Sequence, residues 1–131
     1  MEVSVLSFAD YAQEVGGKLT IVGIFDEINS TELPCVHSFY IVGRFKLSAG
    51  EDLFKVMSIR GHYEGEDKDL FPPIDGNAEN LEISKGKRAT LNFILNFNNL
   101  QFEKEGTYLI EIKTDNGFSS IMPLKVNLLK Q

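Results

Sequence analysis

A short acidic run is the first place where the residue types of this sequence could do chemistry. Glu64, Glu66, Asp67 and Asp69 lie between positions 64 and 69. Clustered carboxylate oxygens are the ligands that Ca²⁺ prefers. The run lacks the spacing of an EF-hand and contains Lys68, so a solvated acidic turn is the favoured interpretation. A calcium-dependent binding module that uses these four carboxylates is the alternative.

The two histidines and the single cysteine indicate little catalytic chemistry. His37 and His62 have no partner at zinc-ligand spacing. Cys35 is interpreted as a small hydrophobic residue, and no Gly-x-Ser-x-Gly elbow occurs. We therefore predict no catalytic residue and no cofactor, and a hydrolase is the least favoured function. A deep polar pocket that unites His37 or His62 with carboxylates would favour an enzyme.

The segment Asp69–Ile74 is unusually apolar for a connection between strands. It contains two prolines, which exclude a central strand. Folding back over the core is the favoured interpretation. The alternative is that Leu70, Phe71 and Ile74 form a small apolar patch for a protein partner.

The charge of the chain argues against nucleic-acid and membrane partners. The sequence has 19 Asp and Glu against 13 Lys and Arg, giving a net charge of -6. Such a chain repels phosphate backbones and anionic lipid heads unless its cations are concentrated. The nearest approach to a cationic cluster is Lys85, Lys87 and Arg88, which flank a glycine as in a solvated turn.

Length and composition predict one globular domain over residues 1–131. The chain is 43% hydrophobic and 24% charged, which are values typical of folded proteins. The N-terminus carries no basic segment or cleavage site, and no apolar stretch approaches the length of a membrane span. A single cysteine forms no intrachain disulfide. We expect a cytoplasmic protein.

Alternation of apolar and polar residues predicts strands along most of the chain. The clearest case is Leu91–Phe97, where Leu91, Phe93, Leu95 and Phe97 share one face. Comparable sets that share one face are Tyr108, Ile110 and Ile112; Phe118, Met122, Leu124, Val126 and Leu128; and His37, Phe39, Ile41, Gly43, Phe45 and Leu47. A further strand is predicted over Leu53–Tyr63. Such strands predict an all-β, two-sheet antiparallel sandwich with seven to nine strands.

Other segments carry weaker predictions. The strand that contains Val22 and Ile24 is apolar on both sides, which favours a central or covered position. Phe8–Glu14 is the one helix candidate, too short to form alone. Asn116-Gly117 favours a type I′ turn that joins the last two strands into a hairpin. Further turns are predicted at 49–51 and 85–87.

The stretch Glu105-Gly106-Thr107-Tyr108-Leu109-Ile110 resembles the start of strand F in immunoglobulin-like sandwiches. In that fold the tyrosine forms a corner in which its ring is buried and its hydroxyl binds the preceding turn. Ile110 occupies the position of the buried cysteine of antibody domains, and the chain has no tryptophan. The resemblance therefore implies an immunoglobulin-like sandwich and excludes a true immunoglobulin.

A second resemblance covers nearly the whole chain. Asp10-Tyr11-Ala12, followed by Gly17-Lys18-Leu19 and a later Gly106-x-Tyr108 with Pro123-Leu124, resembles an uncharacterised family of short bacterial all-β proteins. That resemblance implies a similar sandwich and brings no known activity. We interpret Asp10 as a structural residue that fixes the first corner of the sheet.

Together these observations favour a non-catalytic cytoplasmic module. Its expected ligand is a protein, either another chain or a second copy of this one, because unprotected sheet edges can pair two copies.

Overall fold

The computed structural model describes residues 1–48, 54–77 and 89–130, and these residues form nine β-strands. The strands are β1 Glu2–Val15, β2 Lys18–Phe25, β3 Glu27–Ser30, β4 Cys35–Leu47, β5 Val56–Tyr63, β6 Ile74–Asn77, β7 Ala89–Phe102, β8 Gly106–Thr114 and β9 Ser119–Leu128. No helix long and apolar enough to cross a membrane occurs in these ranges. The predicted turns at 49–51 and 85–87 and the cluster Lys85, Lys87 and Arg88 lie outside them.

The strands form two sheets, and the predicted all-β, two-sheet, sandwich-like fold is confirmed. The four-stranded sheet has the order β2-β1-β4-β7, and the five-stranded sheet has the order β3-β9-β8-β5-β6. The pairs β1–β2, β1–β4, β5–β6, β5–β8 and β8–β9 are antiparallel, whereas β3 and β9 are parallel. The chain divides into two compact units: Met1–Phe25, Ser38–Leu53 and Asn80–Asn98, and then Asp26–His37, Phe54–Glu79 and Asn99–Gln131. The single domain over 1–131 stays a prediction.

Aromatic rings fill the core of the first unit. Phe8, Phe25 and Phe39 contact one another, with ring centroids 5.8 to 6.0 Å apart. Phe39 also stacks on Phe97, at 5.2 Å between centroids. Rings at this separation attract one another beyond the area they bury. The inward faces predicted for β4 and β7 therefore include these two rings.

The tip of the β1–β2 hairpin folds back onto its own sheet. Arg44 pairs with Val5 across β1 and β4. Gly17 lies in the turn at the far end of that hairpin. Even so, Arg44 Nη1 donates to the Gly17 carbonyl at 3.3 Å, and Asn92 Nδ2 donates to the same oxygen at 3.0 Å. A straight strand would carry the tip roughly 30 Å beyond Val5, so β1 must bend strongly.

The bend buries a second apolar cluster in the first unit. Ala12, Leu19 and Ile21 of the hairpin pack in one cluster with the sheet residues Val5, Ala9, Tyr40, Val42 and Ile94. Gly23 lies in the middle of β2 at φ +70°, and the Asp10 side chain occupies the space where a Cβ would lie. A glycine inside a strand commonly marks such a bend or a close approach. Asp10 therefore has a structural position at the corner, as the sequence predicted.

Two predictions for this region are wrong. Phe8–Glu14 is part of strand β1 and not a helix, because its backbone groups pair with strands on both sides; Ala9, for example, pairs with Ile24 and with Tyr40. β2 is an edge strand among the described strands, and not central. Val22 and Ile24 are 53% and 67% exposed. Their apolar character therefore does not reflect burial.

The second unit matches the predicted alternation closely. Ile110, Ile112, Leu124 and Val126 have no exposed surface, and Met122 is also buried. Leu128, which was predicted inward, is exposed at the end of β9. β5 begins at Val56, three residues after its predicted start.

The β8–β9 hairpin is present, but its turn differs from the predicted type I′. Thr114 N–H donates to the Phe118 carbonyl at 2.9 Å, and Gly117 N–H donates to the Thr114 carbonyl at 3.3 Å. Gly117 has φ +95°, whereas Asn116 is not among the described residues with positive φ. This pattern is a type I turn followed by a left-handed glycine, the usual three-residue hairpin.

The predicted tyrosine corner is present at the start of β8. The Tyr108 hydroxyl donates to the Lys104 carbonyl at 2.9 Å and accepts from the Lys104 N–H at 3.1 Å. The ring is only 4% exposed and packs edge-on against Phe102 and Tyr63. Burial, the largest effect, raises the pKa of the Tyr108 hydroxyl above its ordinary value.

Candidate functional site

The second unit carries an open polar groove of about 520 Å³. Ser58, Arg60 and His62 alternate along β5, so their side chains share one face of the sheet. Glu111 and Lys113 continue that face on β8, where Arg60 pairs with Glu111 and Ser58 with Lys113. The connection after β5 contributes a wall. The lining residues are Ser58, Arg60, His62, Glu66, Asp67, Asp69, Glu111 and Lys113.

The wall is held close to the strand by backbone contacts. Leu70 N–H donates to the Gly61 carbonyl at 2.7 Å, and His62 and Asp69 form an isolated antiparallel bridge. Residues opposed in such a bridge point to the same side. The bridge therefore places the imidazole of His62, on the floor, beside the carboxylate of Asp69, on the wall.

Two of the four carboxylates in the groove are already neutralised. Lys113 Nζ lies 2.7 Å from Glu111 Oε1. Glu66 pairs with Lys104, whose ammonium also lies 4.9 Å from the centroid of the Tyr63 ring. The hydrogen bond to Glu66 is the main reason that the pKa of Lys104 is raised. These pairs stabilise the positions of Glu66 and Glu111 and leave their charges satisfied.

Four groove residues retain side chains with no hydrogen-bond or ion-pair partner within the described ranges: Arg60, His62, Asp67 and Asp69. Arg60, Asp67 and Asp69 are exposed, and His62 is half-buried. The guanidinium lies on the floor and the two carboxylates belong to the wall. The groove therefore presents separated positive and negative groups that the protein itself does not pair.

The predicted calcium loop contributes to this groove without forming a metal cluster. Glu66, Asp67 and Asp69 line it, whereas Glu64 does not. Among the described residues no group of three or more His, Cys, Asp or Glu side chains is arranged to hold a metal ion. Calcium binding by these four residues stays a prediction.

The apolar segment after the loop is largely folded inward. Phe71 is 7% exposed, and its ring occupies the space beside Gly61, where a Cβ would lie 2.7 Å from Phe71 Cε1. Leu70 and Ile74 are half-buried. Phe71 is thus not part of an accessible apolar patch, because its ring completes the core behind β5. Partner binding by Leu70 and Ile74 stays a prediction.

The histidines and the cysteine separate in the structure. His62 lies in the groove with Asp67, Asp69, Glu66 and Glu111, whereas His37 is half-buried on β4 and does not line it. Cys35 is half-buried. The groove thus unites His62 with carboxylates, as the sequence argument for an enzyme required, but it is open to solvent. The spacing of residues in the sequence did not predict this groove, because its lining residues come from three separate segments of the chain.

The first unit carries an exposed apolar surface at the edge of its sheet. We define the edge patch as Tyr11, Val22 and Ile24. Tyr11 and Val22 are cross-strand partners, and Ile24 lies two residues further along β2 on the same face. Tyr11 is 43% exposed, and the other two are more exposed still. The edge patch therefore combines apolar surface with a strand that has no described neighbour on its outer side.

Comparison with solved structures gives only distant similarity. A β-glucosidase from Listeria innocua in complex with glucose is 14% identical, with a TM-score of 0.45, over 99% of this chain and 16% of that chain. The same enzyme in complex with gluconolactone is 13% identical, with a TM-score of 0.44, over 96% of this chain and 17% of that chain. The chain thus spans about a sixth of their length. Similarity at this level supports no inference about function.

No curated protein matches the sequence. A family model does match, over residues 4–127, and the family is described as one of unknown function. The match covers the opening Asp10-Tyr11-Ala12 motif and the closing Pro123-Leu124 motif, which confirms the predicted membership of an uncharacterised family. The chain belongs to the family of unknown function DUF6941.

Proposed function

We propose that this chain is a non-catalytic protein-interaction module that pairs with a second copy of itself through strand β2. The observation that supports the proposal is the exposure of Val22 and Ile24 on a strand at the edge of its sheet. Natural sheets usually protect such edges with charges, prolines or covering segments. Val22 and Ile24 are instead exposed aliphatic side chains on an edge strand, and they leave this edge available for pairing.

The charge distribution favours a second copy as the occupant. The face that holds the edge patch consists of Tyr11, Gln13 and Val15 on β1 and Lys18, Thr20, Val22 and Ile24 on β2. None of these positions carries a carboxylate, and Asp10, whose side chain lies beside Gly23, is the carboxylate next to them, although the chain carries 19 acidic residues and a net charge of -6. Two copies of so acidic a chain repel each other over most of their surface. They meet at least cost where carboxylates are absent.

Symmetry also suits β2. When two copies pair through the same strand about a two-fold axis, the two strands run antiparallel, and each residue meets the symmetric position of its partner. A pairing centred on Val22 places Val22 opposite Val22 of the second copy, next to the bend at Gly23. Valine is an apolar, β-branched residue, and such residues pair favourably across antiparallel strands.

Sedimentation velocity over a concentration series tests the proposal. We expect the wild-type chain to shift from one-chain to two-chain mass as concentration rises. Replacing both Val22 and Ile24 by lysine places like charges at the pairing edge, so this double variant should remain at one-chain mass throughout. Exposed positions tolerate such changes with little loss of folding stability.

The matched control is Ile121→Lys. Ile121 is 57% exposed, lies on β9 in the second unit and pairs there with Glu111 of β8, so it is an exposed aliphatic side chain outside the edge patch. This variant should associate like the wild type. A wild-type chain that stays at one-chain mass, or a double variant that associates as strongly as Ile121→Lys, would contradict the proposal.

A further inference from the structure

We propose that the groove of the second unit binds a small dipolar ligand that carries a carboxylate at one end and an ammonium group at the other. This inference is independent of the pairing through β2. It rests on the two sets of charged side chains in the groove that have no partner among the described residues.

Arg60 provides the site for the carboxylate. Its cross-strand neighbour is Glu111, which would ordinarily pair with it. Glu111 instead binds Lys113 at 2.7 Å, so the Arg60 guanidinium has no described carboxylate partner. A guanidinium presents a planar set of donors that matches a carboxylate in a bidentate arrangement. The neighbouring Ser58 and His62 add polar groups along the same face.

Asp67 and Asp69 provide the site for the ammonium group. Both carboxylates line the wall, and neither has a described partner, in contrast to Glu66, which binds Lys104. An ammonium group has three donors and no acceptor, so it is satisfied by adjacent carboxylates. The reversed orientation of the ligand is unfavourable, because it would place the ammonium group against Arg60 and the carboxylate against Asp67 and Asp69.

The size and composition of the groove limit the ligand. A volume of about 520 Å³ falls in the range of small-molecule sites. All eight lining residues are polar, so binding depends on charge pairs and not on burial of apolar surface. Because the groove is open to water and salt, these pairs are screened, and weak binding is expected.

Nuclear magnetic resonance titration with three matched probes tests the assignment. The probes are 6-aminohexanoate, which carries both charges; hexanoate, which carries only the carboxylate; and hexylamine, which carries only the ammonium group. The dipolar probe should shift the resonances of Arg60, His62 and Asp69 together, at concentrations at which the single-charge probes produce little change.

Variants separate the two ends of the site. Arg60→Gln should weaken binding of the dipolar probe by about twofold to fivefold, the effect of losing one solvent-exposed charge pair. Lys125→Gln removes an exposed cation of β9 outside the groove and should leave binding unchanged. The Val22 and Ile24 double lysine variant should bind the probe as the wild type does. Equal responses to all three probes, no response, or an unaltered affinity in Arg60→Gln would overturn the proposal.

Discussion

At the scale of single residues, the Tyr108 hydroxyl joins β8 to the chain that precedes it. Its two hydrogen bonds both involve the backbone of Lys104, so one side chain satisfies a donor and an acceptor that lie outside any strand pairing. The nearly complete burial of the ring means that water replaces these bonds poorly. A buried group that loses its partner costs more than the net value of the hydrogen bond.

Tyr108→Phe should therefore lower the free energy of unfolding by about 1–2 kcal/mol at neutral pH. The raised pKa gives this effect a pH dependence, because the folded state favours the neutral hydroxyl. The contribution is fully present below the unfolded pKa of about 10 and is lost as the pH rises through the folded value. Urea unfolding between pH 7 and pH 11 should show the difference between wild type and variant narrowing above pH 10. Tyr11→Phe is the control at an exposed site and should change the free energy of unfolding little. A loss in Tyr108→Phe that stays constant with pH, or a loss found in Tyr11→Phe and not in Tyr108→Phe, would contradict this role.

Asp115 has the opposite pH dependence. Its Oδ1 accepts the backbone N–H groups of Lys55 at 2.7 Å and Val56 at 3.3 Å, and these bonds, that of Lys55 first, lower the pKa of the carboxyl. The stabilisation is present above the unfolded value, about 3.8, and is lost as the pH falls through the lower folded value. Asp115→Ala should reduce the melting temperature at pH 7. The reduction should become smaller as the pH falls below about 3.8, where the carboxyl of the wild-type chain becomes protonated. Asp67→Ala, which removes an exposed carboxylate without described backbone bonds, should cause no comparable change at pH 7.

At the scale of strands, Gly23 and Asp10 together determine the bend in the β1–β2 hairpin. Gly23→Ala adds a methyl group at φ +70°, where the Asp10 side chain already lies. The left-handed conformation alone costs an alanine roughly 1–2 kcal/mol. Gly17 is the matched reference, because it has φ +78° and open space around its Cβ position. We expect Gly23→Ala to destabilise the chain more than Gly17→Ala does, by urea unfolding.

The double variant Asp10→Ala with Gly23→Ala isolates the contact between the two residues. Removing the carboxyl should recover part of the extra loss, so that the two substitutions are not additive. Equal losses in Gly23→Ala and Gly17→Ala, or strict additivity with Asp10→Ala, would show that the bend does not depend on this contact.

The bend also shows what the sequence could and could not predict. Alternation correctly identified the buried faces around Tyr108, Met122 and Phe97, because the period of two follows from strand geometry itself. It did not predict that Ala12, Leu19 and Ile21 pack against the outer face of their own sheet. Periodicity predicts which side of a strand a residue lies on, but it does not predict where the strand bends. The glycine at position 23 was the one local indication of a bend.

The edge position of β2 and the groove were missed for a related reason. Val22 and Ile24 have the composition of a covered strand, and only the pairing of strands reveals that they lie at an edge. Arg60, Asp69 and Glu111 belong to segments that are distant in sequence and meet only through the pairing of β5 with β8 and the return of the loop. Tertiary neighbours of this kind leave no signature in a single sequence.

At the scale of the whole molecule, the two proposed binding surfaces lie in different units. The edge patch belongs to the first unit, and the groove belongs to the second. Pairing through β2 and ligand binding in the groove should therefore respond to different substitutions. Isothermal titration of 6-aminohexanoate into the Val22 and Ile24 double lysine variant should give the wild-type heat, and Arg60→Gln should sediment like the wild type. Loss of both properties in either variant would contradict this separation.

The most direct test of the pairing through β2 is disulfide cross-linking at its centre. Val22→Cys in a Cys35→Ser background leaves one thiol per chain, and a two-fold pairing brings the two thiols opposite each other. Mild oxidation should convert this variant to a linked two-chain species, whereas Ile121→Cys in the same background should remain one chain. Failure of Val22→Cys to link, or equal linking by Ile121→Cys, would contradict the central claim that the copies meet at β2.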